Sequence, residues 1–123
     1  MKKLNLKVEY GLKYKPGEVV VPEVEISVNW LTYTVVQKYK DGLDGQLRRI
    51  WGRIQRKFDE AVDSQTNSKA VINEIELEEA EVDFLVKSFN ECVFPVKNAM
   101  HMCLLEEEID KLSKPDKSPG STA

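Results

Sequence analysis

A single histidine, His101, and two cysteines, Cys92 and Cys103, are all that this chain of 123 residues offers of the side chains that most often bind metals or act as nucleophiles. One histidine with no neighbouring aspartate and no nucleophile motif is a poor basis for acid–base catalysis. Met100-His101-Met102-Cys103 has the look of a soft-metal cluster, but successive helical residues point about 100° apart and do not converge on one ion. The thiols fit burial in a reducing compartment better than a disulfide framework, with one bridge between them left open. There is also no phosphate-cradling glycine loop, no paired-cysteine motif and no nucleophile elbow. The acidic run Glu74, Glu76, Glu78, Glu79, Glu81 and Asp83 lacks the Asp/Asn-x-Asp/Asn-x-Gly loop that wraps a hard cation. It reads as a solvated strand edge and helix start. No stretch approaches the roughly 18 apolar residues of a membrane span. Met1-Lys2-Lys3 leads into Leu4-Asn5-Leu6-Lys7-Val8-Glu9, not into the apolar run of a signal peptide. These absences predict a non-enzymatic cytoplasmic protein with no cofactor, metal, small-molecule substrate or membrane contact.

What is present is enough apolar material, 41% of residues, for one core, beside a charged fraction of 32% and a formal net charge of -3. One domain is expected over residues 1–112. The Pro/Ser/Lys tail from Ser113 to Ala123 has nothing to bury and reads as disordered. From Lys3 to Lys15 the chain alternates strictly, with Leu4, Leu6, Val8, Tyr10, Leu12 and Tyr14 on one side and mostly charged residues on the other. That is the period of a half-buried strand, with Gly11 a candidate bulge and Pro16-Gly17 a turn. Val24, Ile26, Val28 and Trp30 alternate likewise, so the two runs are expected to pair as a hairpin with one wet face.

Between Trp30 and Lys40 the signals divide. Thr32, Thr34, Val35 and Val36 favour a strand, whereas Leu31, Val35 and Tyr39 share a helical face that Asn29 would cap; helix is preferred. Asp41–Gly45 breaks the chain, and Ser64–Ser68 reads as a polar loop. Val71–Leu77 is a candidate short strand. Glu78 opens a helix that buries Val82, Leu85, Val86 and Phe89, with acids at the positive end of its dipole. A last helix runs from Phe94-Pro95 to about Leu112. The predicted class is α+β: an N-terminal antiparallel β-hairpin, with room for a third short strand, packed on three to four α-helices.

The strongest single signal is the helix from Gln46 to Asp63. Leu47, Ile50, Trp51, Ile54, Phe58, Ala61 and Val62 form one apolar stripe, and Asp44 stands where an N-cap belongs. Arg48, Arg49, Arg53, Arg56 and Lys57 lie off that stripe, with no acid between Gln46 and Phe58. A cationic face on an acidic protein has three readings. It is a solvated face partly paired with Asp59 and Glu60. It is a docking surface for a protein, a second copy included, since the basic segment and the acidic run are complementary. Or it is a nucleic-acid interface, which the acidic pI and the lack of a surrounding reading module weigh against. The last helix carries two apolar stripes, Val96/Ala99/Met100/Cys103/Leu104 and Met102/Leu105/Ile109/Leu112. The second of these, with Phe84, is expected to meet another chain, because a small domain seldom buries both faces of one helix; the alternative is a central helix buried on both sides.

Three stretches, Arg53-Ile54-Gln55-Arg56-Lys57-Phe58-Asp59-Glu60-Ala61, Ile75-Glu76-Leu77-Glu78-Glu79-Ala80-Glu81-Val82-Asp83-Phe84-Leu85 and the Pro95–Leu112 helix, occur in an order that resembles small uncharacterised proteins encoded by tailed bacteriophages and prophages. The resemblance covers about Gln46 to Leu112 and brings no catalytic residues. It implies an accessory or assembly protein that acts through protein–protein contact, in tail or virion assembly or on a host factor. The residues expected to carry that contact are Arg48, Arg49, Arg53, Arg56 and Lys57 by charge, and Phe84, Met102, Leu105 and Ile109 by apolar burial.

Overall fold

In the computed structural model, which describes residues 1–67 and 69–113, the alternating N-terminal run is a strand only at its start, β1 (Lys2–Asn5). Its inward residues Leu4, Leu6, Val8 and Tyr10 are nevertheless all buried. Period-two burial therefore outlasts the strand pairing. After Tyr10 the run leaves the core: Leu12 is exposed, and Gly11 lies in this exit, not in a strand bulge. The expected turn is present. Glu18 N–H donates to the Lys15 carbonyl at 3.1 Å and Gly17 sits at φ 90°, as the second central residue of a type II turn requires.

The strand expected at Val24–Trp30 is instead the first half of a helix, α1 (Glu23–Lys38). Val24, Val28, Leu31 and Val35 point inward together with Ser27 and Thr34, a helical stripe once small polar residues are counted as interior. Each hydroxyl is satisfied: Ser27 Oγ donates to the Leu6 carbonyl at 2.6 Å and Thr34 Oγ1 to that of Leu31 at 2.7 Å. The helix preferred for Trp30–Lys40 is there, but Asn29 lies inside it and caps nothing.

The long amphipathic helix is α2 (Gly45–Asn67). It runs through most of the expected loop because Ser64 turns inward. Ser64 Oγ donates to the Ala61 carbonyl at 2.7 Å and accepts from Ile72 N–H at 2.8 Å, which ties the returning chain to the helix end. Then comes β2 (Glu74–Leu77), antiparallel to β1 in the register Lys2↔Leu77, Lys3↔Glu76, Leu4↔Ile75, Asn5↔Glu74. The antiparallel pair thus exists, but the partner of β1 is the segment expected as a third strand. Lys3 opposite Glu76 supplies the favourable cross-strand charge pair on the wet face.

Helix α3 (Glu79–Asn90) packs against α1, α2 and the final helix, α4 (Ala99–Ser113), which a short 3-10 turn at Val96–Asn98 introduces. Helix α4 also lies on β1. The class is α+β: among the described residues, four α-helices pack around a two-stranded antiparallel sheet. The tail reading falls outside the described residues from residue 114 on, while Ser113 closes α4.

Candidate interaction surface

Helix α2 starts as its sequence dictates. Asp44 Oδ1 accepts from Leu47 N–H at 2.9 Å, and the Asp44 carbonyl takes the first helical bond from Arg48 N–H at 2.8 Å. Ile50, Ile54, Phe58 and Ala61 are buried, which fixes the rotation of the helix and turns Arg48, Arg49, Arg53 and Arg56 to solvent. Among the described residues no carboxylate comes within ion-pair distance of these four guanidinium groups; Asp59 and Glu60, expected to pair with them locally, do not.

Lys57 is the exception. Its Nζ donates to Glu81 Oε1 and to the Glu76 carbonyl, both at 2.8 Å. The same Glu81 oxygen accepts from Glu78 N–H at the start of α3. Glu81 is fully buried and Lys57 partly so, and the lysine ties α2, β2 and α3 together. It is removed from the expected docking set, because a cation that neutralises a buried carboxylate is not free for a partner. The basic and acidic segments therefore meet inside one molecule at Lys57–Glu81, while the four arginines and Glu74, Glu76, Glu78, Glu79 and Asp83 remain exposed.

The basic face has two margins. Arg49, Arg53 and Arg56, spaced four and three residues apart, run along one side of the helix. Arg48 lies on the other side, beside Trp51. There it borders a groove of about 350 Å³ between the end of α1 and the start of α2, formed with Val36, Tyr39, Lys40 and Leu43. Gly42, at φ 105° in the connecting turn, lets the chain reverse there without a side chain over the groove. Arg48 and Arg49 both reach back toward the helix start, each with a guanidinium nitrogen within 3.7 Å of where a side chain on Gly45 would begin.

The expected apolar contact residues are placed differently. Phe84, Met102, Leu105 and Ile109 are at most 5% exposed and belong to the protein's own interior. Phe84 stacks between Tyr39 and Trp51, and Leu105 and Ile109 lie in the main core. Helix α4 has one buried stripe, but it is the opposite one from that expected. Val96 is 92% and Met100 72% exposed, and Ala99 and Cys103 face outward with them. Both cysteines are free; Cys103 is exposed, and partial burial raises the pKa of Cys92, which keeps its thiol protonated. His101 sets its ring edge against Tyr10 at 5.7 Å.

A larger groove, of about 670 Å³, opens between the β1/β2 end, α3 and the end of α4, with Leu77, Val82, Val86 and Leu112 as walls. Its charged residues are of both signs, Lys2 and Lys87 against Glu79 and Asp83, so it presents no single recognisable chemistry. Among the described residues no group of His, Cys, Asp and Glu is arranged to hold a metal ion, and no helix is long and apolar enough to cross a membrane. Compared with known proteins, the chain matches no family model, no curated protein and no solved structure.

Proposed function

We propose that this protein is a non-enzymatic interaction module that docks an acidic surface of another protein onto the outer face of α2, through Arg48, Arg49, Arg53 and Arg56. The observation that carries this reading is a cluster of four exposed arginines without acidic partners among the described residues, on a chain whose net charge is -3. A cation left without a partner on an acidic protein is a strong local contrast, and such contrasts steer and orient association. The setting belongs to the same proposal: a phage-encoded accessory or assembly protein, as the resemblance implies, acting in the host cytoplasm or associated with the virion.

A nucleic-acid partner fits less well. The strip from Arg49 to Arg56 is roughly 10 Å long at the rise of an α-helix. Asp59, Glu60 and Asp63 follow it on the exposed side of the same helix and would face the phosphates beyond. The test compares the wild-type chain with Arg49→Gln/Arg53→Gln/Arg56→Gln, both immobilised, in capture from lysate with and without nuclease treatment, with circular dichroism melts run in parallel. The expected result is a protein retained by the wild type and lost by the equally folded variant. Identical retention by both would remove α2 as the docking face, and retention that nuclease abolishes would move the assignment to nucleic acid.

A further inference from the structure

The groove beside Arg48 is built differently from the rest of the basic surface. The two rings that line it, Tyr39 and Trp51, each stack on a third, Phe84, which is not itself part of the lining. Phe84, buried, lies 5.3 Å from Tyr39 at an interplanar angle of 7° and 6.0 Å from Trp51 at 23°. Tyr39 and Trp51 are only half-buried, and both line the opening. Val36, 59% exposed on α1, and Leu43, half-buried after the turn, form the apolar walls. The Tyr39 hydroxyl and the Trp51 indole N–H have no hydrogen-bond partner among the described residues, although both are groups that usually find one when covered. The charged side chains of the lining, Lys40 and Arg48, are both positive. Asp44, which caps α2, already accepts from the start of that helix, and Asp41, exposed in the connecting turn, is not part of the lining.

We infer that this groove seats one aromatic or branched aliphatic side chain of an acidic peptide segment in the partner protein, with Arg48 and Lys40 taking the carboxylates that flank it. The inference rests on the protein-docking reading of α2 and adds where the partner is anchored. The size of the groove admits one or two large side chains, not a folded face. Half-exposed tryptophan and tyrosine around a small apolar depression are the residue types that dominate binding when a partner excludes water from them. The positive rim selects acid next to the anchor, because a lysine or arginine there would meet like charge.

Fluorescence anisotropy of labelled synthetic peptides tests this. The probes are Glu-Asp-Phe-Leu-Asp-Glu, the same peptide with Ala-Ala for Phe-Leu, and the Gln-Asn-Phe-Leu-Asn-Gln version, each blocked at both ends, with a labelled oligothymidine alongside. The first peptide is expected to bind and the Ala-Ala peptide, which lacks both the aromatic and the branched aliphatic candidate for the anchor, to bind roughly tenfold or more weakly. The amide peptide should bind more weakly in low salt and converge with the first in high salt. Val36→Glu alters an exposed helical position, so its melt should match the wild type while it weakens the first peptide about tenfold. Arg48→Gln should narrow the gap between the acidic and amide peptides. Equal binding of the first two peptides, or no effect of Val36→Glu, would overturn the groove and leave the arginine face standing. Failure of every peptide to bind would also overturn the groove, while capture by the arginine face is judged separately. Oligothymidine bound tighter than any peptide would overturn both readings.

Discussion

At the scale of single residues, the fold depends on a few polar atoms that the hydrophobic pattern does not announce. Tyr10 is buried; its hydroxyl lies 2.7 Å from Ser27 Oγ, which itself donates to the Leu6 carbonyl. That chain fastens the extended N-terminal run onto α1 beyond the end of its ladder. Burial pushes the Tyr10 hydroxyl up to about 12 from 10.0. The unfolded chain therefore loses this proton at lower pH than the folded one. The stability from keeping the phenol neutral is complete below pH 10 and is lost progressively as pH rises through 10 toward 12. The full loss is roughly 2–3 kcal/mol. Urea titrations across that range should show the decline, and Tyr10→Phe should flatten this part of it while lowering stability at neutral pH through loss of the bond to Ser27. Phe58, 1% exposed in the centre of the α2 stripe, sets the opposite expectation: purely apolar, pH-independent and large. Phe58→Ala should cost about 3–5 kcal/mol by chemical denaturation, and a loss under about 1 kcal/mol would mean that α2 is rotated from the orientation on which the arginine face depends.

At the scale of elements, α2 was legible in the sequence and α4 was not. Helix α2 has a single apolar stripe, a capping aspartate and a charged remainder, so periodicity, start and orientation agree. Its cap makes a clean test: Asp44→Ala should cost about 1 kcal/mol, seen in the melting curve, because it frees the Leu47 N–H at an exposed helix start. Helix α4 has two stripes of similar quality. Which one is buried depends on where α3 and β1 lie, and nothing local to residues 96–112 encodes that. The strand expected at Val24–Trp30 failed for a related reason. Val24, Val28, Leu31 and Val35 suit a helix as well as Val24, Ile26, Val28 and Trp30 suit a strand. In the helix that forms, Ser27 and Thr34 are buried on the same face and each donates to a backbone carbonyl. The groove between α1 and α2 was likewise unreadable. Tyr39 and Trp51 lie on different elements, and Phe84, which stacks between them, arrives from a third. Lys57 looked like its arginine neighbours until the position of Glu81 was known.

At the scale of the whole molecule, the question is whether the exposed arginines and the exposed acids of β2 and α3 find each other in a second copy. A head-to-tail contact of that kind closes into a ring or continues as an open stack, and either assembly weakens with salt. The surface argues for a weak contact at most. A stable protein–protein interface buries roughly 800 Å² per partner with an apolar centre. Beside Arg48 the apolar surface is that of a groove of only about 350 Å³. The outward residues of α4, Val96 and Met100, belong to a different element. Light scattering after size exclusion, at low and high salt, is therefore expected to give the monomer mass in both, leaving α2 free for its partner. A defined oligomer at low salt that dissolves at high salt would instead make the second copy the ligand of the arginine face. In that case Glu76→Gln/Glu79→Gln/Asp83→Gln, on the acidic side alone, should abolish it as effectively as the arginine substitutions.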